Sequence, residues 1–273
     1  MNNILILGAS GYAGRAVLNQ LSKSYSVYGT CYGQKDKWKS NDKMLFFDIG
    51  DRNGLNGILE RTRPQIIVSS LRGDFEEQKI VHWEAAEYIA RQPNGKLIYL
   101  STANVFDNRP ETPHYEQDET GARSDYGKFK IDCERMLQSR LNEKSIILRV
   151  PQIWGRDCPR LRKLAADIKS HGKIISWENI YVNYTLDIQI AQYIQYIIEH
   201  NLTGIFHIGS RDLYDYTRFQ KDLAARLSLG SPDFDIQTLP QKEYQAVLTS
   251  RNDIPEELSL SVGDIMEYLA KQT

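Results

Sequence analysis

The sequence predicts an α/β fold, a doubly wound parallel sheet with a smaller C-terminal lobe, and three observations carry that prediction. The apolar run Ile4–Leu7 leads directly into Gly8, Gly11 and Gly14, spaced as G-x-x-G-x-x-G. Short apolar runs then recur at Val27–Cys31, Met44–Phe47, Gln65–Ser69, Lys96–Leu100, Ser145–Arg149 and Gly204–Ile208, with helical patterns between most of them. Two stretches, 158–182 and 211–273, break this rhythm.

Ile4–Leu7 reads as a first buried strand, and the pattern over Ala13–Leu21 as the helix that follows it. Between them Gly8 makes the tight turn, Gly11 lets the backbone approach a phosphate, and Gly14 lets helix pack on strand. The free N–H groups and positive dipole end of that helix suit a dinucleotide pyrophosphate. A glycine-rich turn alone is equally a flexible loop; the strand before it and the helix after it give this one its meaning. Alternating strands and helices imply right-handed crossovers, helices on both faces, and ligands bound outside the carboxyl ends of the strands, a Rossmann-like arrangement. Residues 1–157 and 183–210 are expected to form the dinucleotide-binding domain, the chain returning to the sheet at Leu186–Ile208. Residues 158–182 and 211–273 are expected to form the smaller lobe, from short helices such as Leu161–Ser170 and Thr217–Leu227.

Composition removes several function classes. With 273 residues, 41% hydrophobic, 25% charged and a net charge of −1, the chain offers no basic field for nucleic acid or an anionic membrane. Cys31, Cys133 and Cys158 are far apart, odd in number and not near a histidine cluster, which points to a reducing compartment and no structural zinc. The chain opens on a strand and glycine turn, and no run of about 18 apolar residues occurs, so a cytoplasmic protein is expected.

After the run KLIYL comes Ser101-Thr102-Ala103-Asn104-Val105-Phe106-Asp107, and after a loop comes Asp125-Tyr126-Gly127-Lys128-Phe129-Lys130. Tyr126 and Lys130 are four apart on a predicted helix and share a face. An ammonium beside a phenol favours the phenolate and suits it to exchange a proton near neutrality. Thr102, at a strand end, is placed to hydrogen-bond the same substrate oxygen. A solvated helix face gives the same spacing, and the chain has 16 tyrosines, so the pair gains force only beside the other motifs.

Together these motifs resemble the extended short-chain dehydrogenase/reductase family over nearly the whole chain. Within it, STANVFD followed by TPHYEQDETGARSDYGKFKIDCE is most similar to the dTDP-4-dehydrorhamnose reductases. The resemblance implies Tyr126 as proton donor, Lys130 as its electrostatic activator and a ribose ligand, and Thr102 as the hydroxyl orienting the carbonyl. It implies cofactor contacts from Gly8, Ser10, Gly11, Tyr12, Gly14, Thr30, Asp48, Ile49, Ser69 and Lys130, with Asp48 and Ile49 meeting the adenine. Substrate contacts fall to Asn104, Gln152 and Trp154.

The chain also departs from that pattern. Ala103 and Asn104 stand where those reductases carry Asp and Tyr, and where sugar 4,6-dehydratases carry an Asp-Glu pair, which argues against dehydration. Gln152 occupies the position of a sugar-packing tryptophan, with Trp154 two residues away. Ser69-Ser70-Leu71-Arg72-Gly73 replaces an N-x-A-A-Y turn, and Trp177–Asn183 replaces a D-Q-x-G-x-P-T signature. His82, where the family often has Asn, reads as helix packing or capping; Arg72, Arg156 and Arg160 are candidates to clamp a diphosphate. No carboxylate ends the second strand at Gly29–Gly33, and Arg15, Lys35, Lys37 and Lys39 are nearby with Asp36 among them, which favours NADP over NAD. The expected activity is NADP-dependent reduction of a nucleotide-linked 4-keto sugar, the expected partner that small molecule, with a homodimer open. The rivals are a nucleotide-sugar 4-epimerase, which returns the hydride, and a non-catalytic NADP-binding regulatory subunit like that of methionine adenosyltransferase.

Overall fold

A computed structural model describes residues 3–33, 41–51, 53–230 and 232–271. The central sheet uses β1 (Asn3–Leu7), β2 (Ser26–Cys31), β3 (Met44–Phe46), β4 (Ile66–Ser69), β5 (Lys96–Thr102), β6 (Ser145–Val150) and β10 (Gly204–His207) in the spatial order β10-β6-β5-β4-β1-β2-β3. Strands β3, β2, β1, β4 and β5 pair parallel, with Leu5 opposite Tyr28 on one side and Ile67 on the other. Each apolar run of the sequence is a strand here, within a residue or two of its expected ends. Ile4 to Leu7 are all fully buried, as expected of a strand covered on both faces. Burying an Ile or Leu side chain contributes about 2 kcal/mol, so this strand anchors the sheet. The strand order reverses between β1 and β4, and the crevice at such a point is where ligands bind in open α/β sheets.

The helices flanking the sheet are α1 (Tyr12–Leu21), α2 (Gly54–Thr62), α3 (Phe75–Ala90) and α4 (Asp125–Leu141), with α6 (Asp187–Glu199) before β10. Asp74 caps α3 by accepting from the Glu76 and Glu77 N–H groups at 2.9 and 3.1 Å, a local signal worth about 1 kcal/mol. Val81, Ala85, Ala86 and Ile89 on α3, and Phe129, Cys133 and Leu137 on α4, share one core with β1, β4 and β5.

Outside the central sheet lie α5 (Pro159–Lys169), α7 (Tyr216–Arg226) and α8 (Val262–Ala270), and strands that the sequence pattern does not predict. Strand β8 (Ile174–Val182) lies between β11 (Tyr214–Asp215) and β12 (Phe234–Gln245), while β7 (Gln152–Trp154) pairs parallel with β9 (Tyr184–Leu186). These segments lack a clear alternation: β12 carries Pro240 and slips register between Thr238 and Glu243, a bulged and largely polar strand of the kind sheet edges use.

The chain divides into two compact units: Met1–Ser101, Lys128–Leu148 and Ile190–Phe206 form one, and Thr102–Gly127, Arg149–Gln189 and His207–Thr273 the other. No described helix is long and apolar enough to cross a membrane.

Candidate functional site

The glycine turn after β1 is shaped by backbone. Gly8 has φ +82°, and a Cβ there would come 2.9 Å from the Ser70 carbonyl oxygen, so only glycine takes this position without strain. A Cβ on Gly14 would collide with the Gly8 carbonyl oxygen and lie 2.8 Å from Ser70 Oγ. Gly11 is the N-cap of α1 and supplies no side-chain cap, and no acidic residue lies in the first turn. This is a cradle that side chains would fill, open to an anion at a helix N-terminus; it fits a dinucleotide pyrophosphate.

Further bonds fix the cradle. The Gly8 N–H donates to Thr30 Oγ1 at 2.9 Å, the Ser10 N–H to the Thr30 carbonyl at 3.4 Å, and the Gly11 N–H to the Gly8 carbonyl at 3.0 Å. Thr30 therefore braces the turn from the end of β2. Ser70 Oγ lies within hydrogen-bonding reach of the Leu7 and Gly8 carbonyls, a brace that no sequence motif marks. Tyr12 opens α1. Asp48 and Ile49 follow β3; the Gly50 N–H donates to Asp48 Oδ1 at 3.0 Å, and Ile49 packs where a Cβ on Gly73 would fall. Ser69 closes β4 and is 1% exposed.

Lys130, on α4, is 5% exposed. Its Nζ donates to the Leu100 carbonyl at 2.9 Å and stands 4.5 Å from the centre of the Tyr99 ring. Burial pushes its pKa down to about 8, opposed by Cys133 and Glu134 and assisted by Arg72. Glu134, a buried carboxylate one turn further along α4, accepts from the Ser101 hydroxyl.

The segment carrying Thr102, Asn104 and Tyr126 belongs to the second unit. The Thr102 hydroxyl accepts from the Asn104 N–H at 3.2 Å and donates to Asn104 Oδ1 at 3.0 Å, so it caps the short 3₁₀ turn Ala103–Phe106. Asp107, to which the sequence pattern assigns no role, accepts from the Ser124 hydroxyl and the Arg123 N–H, and Ser124 Oγ in turn accepts from the Gly127 N–H at 3.1 Å. A side chain on Gly127 would collide with the Asn104 carbonyl. Tyr126, 41% exposed, thus starts α4 beside the turn bearing Asn104. Lys130 follows one turn later on the same helix.

The residues expected to meet substrate take other places. Gln152 and Trp154 lie on β7; Trp154, 3% exposed, packs on Phe219 and Tyr184 with ring centres 5.0 and 6.3 Å away. Gln152 Oε1, Trp154 Nε1 and Tyr184 OH are buried and find no hydrogen-bond partner among the described residues. Arg72 and Arg160 are exposed, and the Arg156 guanidinium lies 4.7 Å from the Tyr268 ring centre. Lys35, Asp36, Lys37 and Lys39 lie outside the described residues. Arg15 and Lys43 line a cleft of about 360 Å³ with Asn19, Asn41 and Met44.

Comparison with known proteins places these features. The family model of the RmlD substrate binding domain matches residues 1–251. The methionine adenosyltransferase 2 subunit beta of Danio rerio is 30% identical over 165 residues, 56% of this chain and 48% of that protein. The dTDP-4-keto-6-deoxy-D-glucose reductase of Streptomyces niveus is 26% identical over 186 residues, 63% of this chain and 65% of that protein. The chain thus spans about half to two thirds of the length of these relatives. The crystal structure of dTDP-4-dehydrorhamnose reductase from Bacillus anthracis, in complex with NADP, superposes with a TM-score of 0.79 at 17% identity, covering 100% of this chain and 98% of that one. That likeness establishes a shared fold.

Proposed function

The chain belongs to the RmlD substrate binding domain family, and from that membership we propose that it is an NADP-dependent reductase of a nucleotide-linked 4-keto sugar. The observation that carries the reading is Lys130: a buried ammonium, one helical turn from Tyr126, in a chain that also carries the glycine cradle. Gly8, Gly11 and Gly14 would hold the pyrophosphate, with Asp48, Ile49, Ser69 and Lys130 along the rest of the dinucleotide. When bound, the nicotinamide supplies the hydride.

Tyr126 gives its phenolic proton to the carbonyl oxygen as the carbon is reduced. Lys130 lowers the cost of the phenolate that remains, because an opposite charge nearby favours the ionised form. With its pKa near 8, Lys130 is still an ammonium at neutral pH. The Thr102 hydroxyl orients the same oxygen, and for that its proton turns away from Asn104 Oδ1. Asn104 and Gln152 would meet the sugar, whereas Trp154 is part of the core, packed on Phe219 and Tyr184.

Replacing Tyr126 by Phe is the test. It removes the transferable proton and leaves the cradle intact, so turnover falls by about 10²–10⁴ while NADPH affinity stays within about threefold. Near wild-type turnover in Tyr126→Phe refutes the mechanism. A second reading, a non-catalytic NADP-binding subunit, is favoured by the Danio rerio relative and by Ala103 and Gln152 at positions where the reductases carry Asp and Trp. It predicts NADPH binding without turnover in the unaltered protein.

A further inference from the structure

His82 on α3 has no part in the chemistry above, yet it is 1% exposed and in the electrostatic reach of Lys130. Burial first, and the Lys130 charge second, push its pKa down to about 3, so at working pH it is a neutral imidazole with a single ring N–H. Its Nε2 lies 2.7 Å from Ser69 Oγ and its Nδ1 3.9 Å from Cys133 Sγ. The ring edge meets Tyr99, with centres 4.9 Å apart at 81°. Ser69 is the last residue of β4, opposite Leu7 of β1 and Tyr99 of β5, at the place where the strand order reverses.

One ring proton has two neighbours to choose between, and Cys133 decides. Burial raises the Cys133 pKa, outweighing the Tyr99 hydrogen bond and the Lys130 charge, so the sulfur keeps its hydrogen at neutral pH. With the thiol hydrogen given to Nδ1, that nitrogen is the acceptor. Lys130, three residues before Cys133 on α4, adds a positive potential that keeps the imidazole neutral. The proton then sits on Nε2 and is donated to Ser69 Oγ, leaving the Ser69 hydrogen to be given elsewhere. With the opposite tautomer, Ser69 would spend its hydrogen on His82 and present only lone pairs.

We propose that Cys133, His82 and Ser69 form a directed hydrogen-bond chain that holds the Ser69 hydroxyl as a donor, at the carboxyl end of β4, to an oxygen of the bound dinucleotide. Ser69 is the group that touches the cofactor; His82 is a positioning residue acting through it. The inference rests on the reading that a nicotinamide dinucleotide binds here. It gives the imidazole, in place of the amide the family often has, a defined role as a rigid ring whose one proton Cys133 assigns to the side facing Ser69.

The test combines NADPH and NADH titrations with nitrogen NMR of the imidazole. In wild-type protein His82 is the Nε2–H tautomer and does not titrate between about pH 5 and 9. Ser69→Ala and His82→Leu each weaken NADPH binding by about tenfold, the loss of one hydrogen bond to a charged or polar ligand. The double variant binds no more than about twofold worse than His82→Leu alone, because one interaction has been removed twice. His82→Gln, whose amide N–H can serve Ser69, keeps affinity within about threefold of wild type. A histidine that only packs would give an Nδ1–H tautomer or unchanged affinity in folded His82→Leu, with a lowered melting temperature. Wild-type affinity in Ser69→Ala, an Nδ1–H tautomer, or additive losses in the double variant overturns the proposal. Should His82→Leu fail to fold, the wild-type tautomer and Ser69→Ala still decide. Wild-type protein that binds neither NADPH nor NADH overturns the dinucleotide reading and this chain with it; wild-type binding with an unaffected Ser69→Ala overturns the hydrogen-bond chain alone.

Discussion

At the glycine turn after β1 the backbone itself sets the local geometry, whereas on the strand pair β7–β9 the side chains do. Gly8 and Gly14 leave no room for a Cβ, and the surrounding hydroxyls of Thr30 and Ser70 are tied to that backbone. On β7 and β9, Gln152, Trp154 and Tyr184 put buried polar atoms where no described residue pairs with them. A buried polar group without a partner costs about 1–3 kcal/mol, so proteins keep few of them, and they concentrate where function or bound water explains them. On the proposed function, the first region would hold the dinucleotide, the ligand part that is the same for every substrate. The second is built from side chains, which can be exchanged without changing a fold.

The largest expected effect separates the two regions by steric demand. Gly14→Ala drives a methyl group into the Gly8 carbonyl and Ser70, and should cost about 3 kcal/mol of stability together with most NADPH affinity, read by denaturant midpoint and calorimetry. Gly57, exposed on α2 with open space around its Cα, is the control: Gly57→Ala should stabilise by about 0.5–1 kcal/mol. If Gly14→Ala behaves like Gly57→Ala, the turn is not a cradle closed by contact.

Lys130 gives an effect of similar size, with a sign fixed by burial. Its folded pKa, about 8, lies below the ordinary 10.5, so the folded protein releases that proton first. Stability therefore rises with pH between about 8 and 10.5, by up to roughly 3 kcal/mol, while turnover that needs the ammonium falls over the same interval. Urea titrations and rates across that window, repeated on Lys130→Met, check both limbs; the variant should lose the alkaline rise.

Asn183 tests the other region. Fully buried, it donates to the Ser210 and Val247 carbonyls at 3.2 and 2.7 Å and accepts from the Val247 N–H at 3.1 Å. Asn183→Ala strands those backbone groups and should cost about 2–3 kcal/mol, while NADPH affinity of the folded protein is unchanged. A calorimetric loss of affinity would mean that the cradle depends on this lobe.

The strands of the central sheet and the glycine turn were legible in the sequence because both follow from short-range rules. Continuous apolar runs mark strands buried on both faces, and three glycines at fixed spacing mark a turn that excludes Cβ atoms. Strand β12 was illegible for the converse reason: its polar residues, Pro240 and register slip carry no period. His82 packs within its helix as expected, edge-on to Tyr99, while its bond to Ser69, like the roles of Ser70 and Asp107, went unread because the partners lie 13 to 63 residues away along the chain. No local pattern announces such a pairing. Glu134 stood within the quoted motif, yet its bond to Ser101 shows only when α4 lies on β5.

The smallest expected effect is cofactor choice. Arg15 and Lys43 border one cleft, and no carboxylate ends β2, so NADPH should bind severalfold more tightly than NADH at low salt, the margin shrinking as salt screens exposed charges. Equal affinities would assign the cleft no part in choosing the cofactor.

The central claim, that the cradle and the Tyr126–Lys130 face serve one reduction, is tested most directly by mixing the wild-type protein with NADPH and a panel of nucleotide-linked 4-keto sugars, following nicotinamide absorbance and product mass together. NADPH should be consumed in step with a product heavier by one hydride and one proton. A product of unchanged mass with no net NADPH consumed, or NADPH bound and never oxidised across the panel, would contradict it.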